Sequence, residues 1–296
     1  MFETTSPSAA SPQNAHARTP SDADLQRAEG CCRIVLGGPE TNTRLAELFQ
    51  RSPIRVFFPR SGCDAMGEAV LVNTAGGVAG GDKLQFEVIA LAGASAAVTT
   101  QAAEKVYRAL REPARVVTRL RACQAAKLAW LPQETIIFNQ ARLVRETEID
   151  LSSGSEVLAL EWLVLGRAAH GEQLTGGQIK DSWRVKKDGR LVWADSFRAS
   201  EEGIPHLYRR ALLSSCRALG TLVYFGPDAS LRAEFMRDTA ASLRCHCGVT
   251  LVGGLIVARF AAEMFSDLRQ ALRSYLQSFG RVLGGGPFRV PKMWQC

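Results

Sequence analysis

From about residue 55 to residue 225, hydrophobic and polar residues alternate with the two-residue period of half-buried strands. Leu84, Phe86, Val88 and Ala90 alternate with Gln85, Glu87 and Ile89. Leu143, Arg145, Thr147 and Ile149 alternate with Val144, Glu146 and Glu148. Residues 157–165 are apolar on both faces except at Glu161, which predicts a central buried strand carrying one acid in need of a partner. Residues 179–186 and 190–197 flank Asp188-Gly189, a dipeptide whose tolerance of positive φ suits a two-residue hairpin turn. Residues 249–252 and 255–259 pair in the same way around Gly253-Gly254. The helical period enters late. Ser266 is placed to cap a helix in which Leu268, Leu272, Tyr275, Leu276 and Phe279 form one stripe ending near Gly280. Residues 228–243 form a second helix, with Leu231, Phe235, Ala240 and Leu243 inward. The sum is a mainly β, largely antiparallel protein with two helices near its C-terminus.

Composition adjusts this picture. At 296 residues and 46% hydrophobic content the chain can bury a large core. Residues 1–28 are rich in Ser, Pro, Ala and Thr and almost free of large apolar side chains. They are read as a disordered polar tail ahead of a single domain over residues 29–296. The best apolar run, residues 249–262, is too short for a bilayer and contains Arg259, and the polar N-terminus has no hydrophobic signal core, so a cytoplasmic location is expected. The net charge of +7 is spread among acids, and the longest basic cluster, residues 184–187, lies beside a turn. Such charge suits steering toward an acidic protein partner better than nucleic-acid binding. The eight cysteines are scattered and are expected as reduced thiols.

The chemistry concentrates between residues 71 and 108. Gly76, Gly77, Gly80 and Gly81 describe a tightly folded loop that fixes the direction of one carboxylate, Asp82. A P-loop is excluded because Asp82 precedes Lys83 and Leu84 follows, where Gly-Lys-Ser/Thr is required. A dinucleotide fingerprint is excluded because the glycine spacing is wrong and the loop runs into a strand. Lys83 also stands where a diguanylate cyclase loop has its second acid. Ser95 lacks the second glycine of a nucleophile elbow, and no cysteine has the local signature of a thiol enzyme. One metal arrangement stays open as an alternative. His170-Gly171-Glu172 matches the His-x-Glu half of a zinc deaminase signature, and Cys245-His246-Cys247 offers soft ligands, which together would make a zinc-dependent hydrolase. The Pro-Cys-x-x-Cys half of that signature is absent, and four histidines are too few for a multi-histidine centre.

The loop resembles that of the urease accessory protein UreD (UreH) family, which carries an NTAGGxxGGD turn followed by a TTQAAEKVYR segment. Both stand here: Asn73 to Asp82 holds the first, and the second includes Gln101, Glu104, Lys105, Tyr107 and Arg108. The resemblance continues through Trp130-Leu131-Pro132-Gln133-Glu134-Thr135, Leu165-Gly166-Arg167 with Gly171-Glu172, Asp188-Gly189-Arg190-Leu191, and Val290-Pro291-Lys292-Met293-Trp294. It covers about residues 33 to 296. It implies stacked sheets winding through one large domain and a non-enzymatic scaffold that binds UreF, through it the GTPase UreG, and the urease apoprotein during nickel insertion. No tightly bound cofactor is implied, only nickel in transit.

Five acids, Asp82, Glu104, Glu134, Glu161 and Glu172, lie in apolar or glycine-rich segments where at least partial burial is expected. Singly, each can be paired with Lys105, Arg108 or Arg167 or can cap a loop. Together, along a water-filled interior path, they would suit transient handling of a divalent cation.

Overall fold

The computed structural model describes residues 27–59, 67–282 and 291–294. Most of the predicted tail, residues 1–26, lies outside the described residues. β1 (Glu29–Gly37) and β2 (Arg44–Arg51) pair antiparallel, as do β3 (Ile54–Phe57) and β4 (Gly67–Asn73). The chain then alternates between two stacked sheets. β5 (Lys83–Ala90) lies in the first and β6 (Ser95–Thr100) in the second; after the short β7 (Glu104–Val106) come β8 (Ala114–Ala122) in the first and β9 (Lys127–Leu131) in the second. After β10 (Thr135–Ile137), β11 (Arg142–Leu151) and β12 (Glu156–Leu165) repeat the alternation. β13 (Gln178–Lys187) and β14 (Arg190–Ala199) complete the first sheet. β15 (Ala218–Phe225), α1 (Ala229–Ala241), β16 (His246–Val252), β17 (Leu255–Ala262) and α2 (Phe265–Val282) complete the second sheet and its outer cover.

The order is β14-β13-β11-β8-β5-β1-β2 in the first sheet and β16-β17-β15-β12-β9-β6-β4-β3 in the second, with β7 and β10 alongside β12. The expected largely antiparallel pairing is corrected at the centre of both sheets. The β5, β8, β11 and β13 ladders are parallel, and so are those joining β4, β6, β9 and β12. The reason is the winding. A strand whose successor lies in the other sheet meets its own neighbour only after a full circuit, and therefore runs the same way. Antiparallel pairs are left to the hairpins and to β15 and β17. Both predicted hairpin turns are present, with positive φ at Asp188 (48°) and Gly189 (79°) and at Gly253 (59°) and Gly254 (80°).

The circuit has two different ends. Where the chain passes from the first sheet to the second it uses four-residue turns at residues 91–94, 123–126 and 152–155. Each is closed by a backbone bond of 3.0 to 3.1 Å and has positive φ at its third residue, Gly93, Ala125 or Gly154. At the opposite end, returning to the first sheet, the connections are long and carry the signature segments 74–82, 101–113, 132–141 and 166–177. These loops bond side by side: Val78 N to Lys105 O (2.8 Å), Phe138 N to Val106 O (3.1 Å) and Gly166 N to Ile137 O (2.8 Å). The winding therefore gathers motifs far apart in sequence onto one end of the molecule.

Ile34, Leu71, Leu84, Leu120 and Trp130 fill the space between the sheets. Leu160, Trp162, Tyr224, Leu272 and Leu276 fill the space between the second sheet and the helices. Trp162 lies between Phe265 and Trp294, with ring centroids 5.7 and 5.5 Å away. Trp294 is fully buried and donates its Nε1 hydrogen to Leu131 O at 2.9 Å, so the C-terminal signature locks onto the sheet. Two helix details differ from expectation. α2 begins at Phe265, so Ser266 is inside the helix rather than its cap. α1 buries Ala229, Arg232, Ala233, Met236 and Ala240, leaving Leu231 and Phe235 exposed. The helix is turned because Arg232 pairs with Asp228 and lies over the Tyr224 ring, an ionic and cation–π contact that the apolar stripe does not encode.

Candidate functional site

The acid on β12 has its partner. Arg145, inward on β11 and only 3% exposed, donates from Nη1 to Glu161 Oε2 at 2.7 Å, and from Nε and Nη2 to the two oxygens of Asp181 on β13 at 2.9 and 2.7 Å. Thr135 Oγ1 accepts from Nη1 at 3.0 Å, and Trp130 Nε1 donates to Glu161 Oε1 at 2.8 Å. The parallel register places Arg145 opposite Asp181, and the stacking of the sheets places Glu161 across from both. Burial opposes the charge on Arg145, but the two carboxylates outweigh it and hold the guanidinium as a cation. Burial pushes Glu161 above the ordinary carboxylate range, opposed by Arg145 and reinforced by Asp181.

Beside this cluster lies a cavity of about 490 Å³ lined by Glu161 and Asp181 on one side and Phe197, Thr221, Arg259 and Gly248 on the others. Glu161, Thr221, Arg259 and Gly248 occupy one lateral row across β12, β15, β17 and β16, so the cavity runs from the ionic cluster to the sheet edge. Arg259 Nη2 reaches Asp195 Oδ2 on the first sheet at 2.8 Å, bridging the two sheets.

The other four acids are placed differently. Asp82 is buried, and its oxygens accept the Ala28 and Ala79 amides, each at 2.8 Å. It clamps the entry to β1 onto the glycine loop. Asp82→Ala is expected to cost about 1 to 3 kcal/mol in urea unfolding, with Asp82→Asn intermediate because the amide keeps one acceptor oxygen. Unchanged stability in both variants would remove the clamp. Glu172 receives Arg167 at Nε and Nη2 (2.9 Å each) and the Arg167 amide (3.0 Å), which hold it below the ordinary range.

Glu104 is partly buried, and Asn73 Nδ2 lies 3.1 Å from both its oxygens. Desolvation raises its pKa from the ordinary 4.5 to about 7, opposed by the Asn73 hydrogen bond. A raised folded-state pKa means that the native state binds the proton more tightly. The associated stability is therefore present below about pH 4.5 and lost as pH rises through about 7. Glu104→Gln should flatten this part of the pH profile, read by denaturant unfolding at about pH 5 and about pH 8. An unchanged slope would refute the assignment. Glu134 is buried, with Oε1 4.0 Å from Arg269 and Oε2 accepting no hydrogen bond among the described residues, and burial raises its pKa. Its carbonyl accepts the Glu104 amide at 2.8 Å, and Thr135, next in sequence, reaches Arg145. Glu104 and Glu134 are thus joined by a backbone bond, and Glu161 follows through the side chains of Thr135 and Arg145, whereas Asp82 and Glu172 accept from loop amides and Arg167 outside this series.

The zinc arrangement is not assembled. Cys245 and Cys247 pack toward the helix-side core, while His246 is exposed on the alternate face of β16. Burial pushes the Cys247 thiol up to about 12, which keeps it protonated. His170 is exposed in the Arg167–Glu172 loop, and among the described residues no three His, Cys, Asp or Glu side chains are grouped to hold a metal. The six described cysteines are free thiols. No described helix is long and apolar enough to cross a membrane.

Sequence reasoning missed Arg145 and Asp181. Their signal was present: both are charged residues at inward positions of strands with clear alternation.

Two wound sheets, a buried ionic cluster beside a cavity, and signature loops gathered at one end define a wound two-sheet class of β protein. The family model described as "UreD urease accessory protein" matches residues 28–295. The chain is 41% identical over 269 residues to the urease accessory protein UreD of Xanthobacter autotrophicus, covering 91% of this chain and 90% of that protein. It is 38% identical to the UreD proteins of Azorhizobium caulinodans and Rhizobium etli, covering 91% of this chain and 97% and 96% of theirs. The chain belongs to the UreD family of urease accessory proteins.

Proposed function

We propose that this protein is a non-enzymatic, cytoplasmic scaffold for nickel insertion into apo-urease, binding UreF, through it the GTPase UreG, and the urease apoprotein. Family membership supports the urease connection. The observation that carries the metal-handling part is the cavity with Glu161 and Asp181 in its wall. Carboxylate oxygens hold a borderline cation such as nickel less tightly than imidazole or thiolate, so an acid-lined cavity suits passage rather than storage. Glu161 and Asp181, whose oxygens are held by Arg145 and Trp130, are the central station of the proposed path, where an arriving cation takes the place of Arg145 as their partner. Glu104 and Glu134 extend it toward the loop end, and Oε2 of Glu134 is buried with no hydrogen-bond partner among the described residues, which leaves it available as a ligand. Asp82 and Glu172 act on the fold of the loops instead. Nickel is cargo in this scheme and no resident cofactor is invoked.

In the native host, deletion of this protein should leave urease subunits present but nickel-poor and inactive, read by metal analysis and urea hydrolysis of the purified enzyme. Normally loaded, active urease from the deletion strain would sink the proposal.

A further inference from the structure

The long-loop end presents a surface that the interior path does not use. Tyr107 is exposed yet held: its hydroxyl donates to Gly76 O at 3.0 Å, and its ring meets the Phe138 edge with centroids 5.1 Å apart. The Arg167 guanidinium lies 4.2 Å from the Phe138 centroid on the same aromatic unit, and Glu172 fixes that arginine by two side-chain bonds. The result is a rigid stack at the surface, which loses little entropy when another molecule packs on it. Three residues along, Leu110 is 69% exposed, among the most exposed large apolar side chains of the described residues.

Around these apolar groups stand Lys105, Arg108 and Arg111, all exposed. None of the three takes part in an ion pair among the described residues, although elsewhere exposed cations such as Arg33, Lys83 and Arg119 have carboxylate partners. Glu112 is the exposed acid of this loop, and the charge of Arg167 is already matched by Glu172. The loop end is therefore cationic, with an aromatic and a leucine anchor, and Lys105, Arg108 and Arg111 form no ion pair among the described residues.

We propose that this end, with Tyr107 and Leu110 as anchors and Lys105, Arg108 and Arg111 around them, docks an acidic protein surface that offers an apolar pocket beside a carboxylate cluster. The exposed leucine favours protein over nucleic acid, since a phosphate backbone has no pocket for it. Charge complementarity selects the partner and sets its rate of encounter, while Leu110 and the Tyr107 stack supply the buried contact. The proposal rests on the scaffold reading only in supposing that the partner is a protein.

The test uses the full chain in its native host, with a photo-cross-linking residue placed at Leu110 and, as control, at exposed Arg184 on the outer face of β13. The expected result is a Leu110 adduct whose peptide, identified by mass, is rich in Asp and Glu. Lys105→Glu, Arg108→Glu and Arg111→Glu together should lower its yield at least about tenfold, and raising salt from about 0.1 to about 0.5 M should weaken it in the same direction. Should the triple variant fold poorly, the salt response of the otherwise unchanged chain decides the matter. A Leu110 yield no higher than the Arg184 control, an adduct insensitive to both charge reversal and salt, or an adduct to nucleic acid would overturn the proposal. An acidic partner unconnected with urease would keep the surface and remove the scaffold reading. A urease-defective deletion strain with no Leu110 adduct would do the reverse.

Discussion

Arg145→Met should destabilise the protein by about 3 to 5 kcal/mol, seen as a large fall in the urea midpoint with an unchanged slope. The guanidinium makes four side-chain hydrogen bonds, three of them to Glu161 and Asp181, and every partner lies between the sheets. Removing it leaves two buried carboxylates without a cation, so the protein must either protonate them or admit water, and either route raises the energy of the native state. The companion variant carries Glu161→Gln and Asp181→Asn as well. It should recover most of the loss, because neutral amides need hydrogen bonds but no counter-charge. The same pair separates stability from function. If the carboxylates handle nickel, the triple variant should fold and join its partners yet yield nickel-poor urease. A single variant as stable as the parent would refute this account of the cluster.

Gly77→Ala is expected to cost about 2 to 4 kcal/mol, whereas Gly76→Asn should stay within about 1 kcal/mol of the parent. The two glycines are adjacent and both have positive φ, +73° at Gly76 and +148° at Gly77. A side chain at Gly76 meets nothing within 4 Å, and its left-handed conformation is one asparagine adopts readily. A Cβ on Gly77 would stand 2.5 Å from Tyr107 Cε2 and 2.7 Å from Lys105 O. The second neighbour is backbone and cannot move without breaking the bond between Val78 N and Lys105 O. Since the Tyr107 ring lies against Gly77 and an added Cβ would push it aside, the alanine variant should lose partner binding along with stability. Equal losses at the two positions, measured by urea unfolding, would mean that the close approach is absent.

Much of the strand structure was legible because a residue's face is a local property. Leu84, Phe86, Val88 and Ala90 are buried as the two-residue period requires, and β12 is buried from Val157 to Leu165. Asp188-Gly189 and Gly253-Gly254 turn where expected because positive φ is a demand on the residue itself. The face of α1 was misjudged for a related reason. Leu231 and Phe235 form an apolar pair, but burying Arg232 with Asp228 against Tyr224 turns them to the surface. The candidate acids divide in the same way: at least partial burial could be inferred for each, but what each carboxylate touches could not.

By itself the sequence determined the strands, the hairpin turns, the need for a partner at Glu161 and, through its signature loops, the family. Tertiary structure alone decided which strands are neighbours, that their central ladders are parallel, that Arg145 and Asp181 complete the Glu161 cluster, and that four distant loops share one end. The physical reason is that alternation reports whether a side chain faces the core but carries no record of which strand lies beside it. Pairings such as Arg145 with Asp181, 36 residues apart, exist only once the chain has wound between its two sheets.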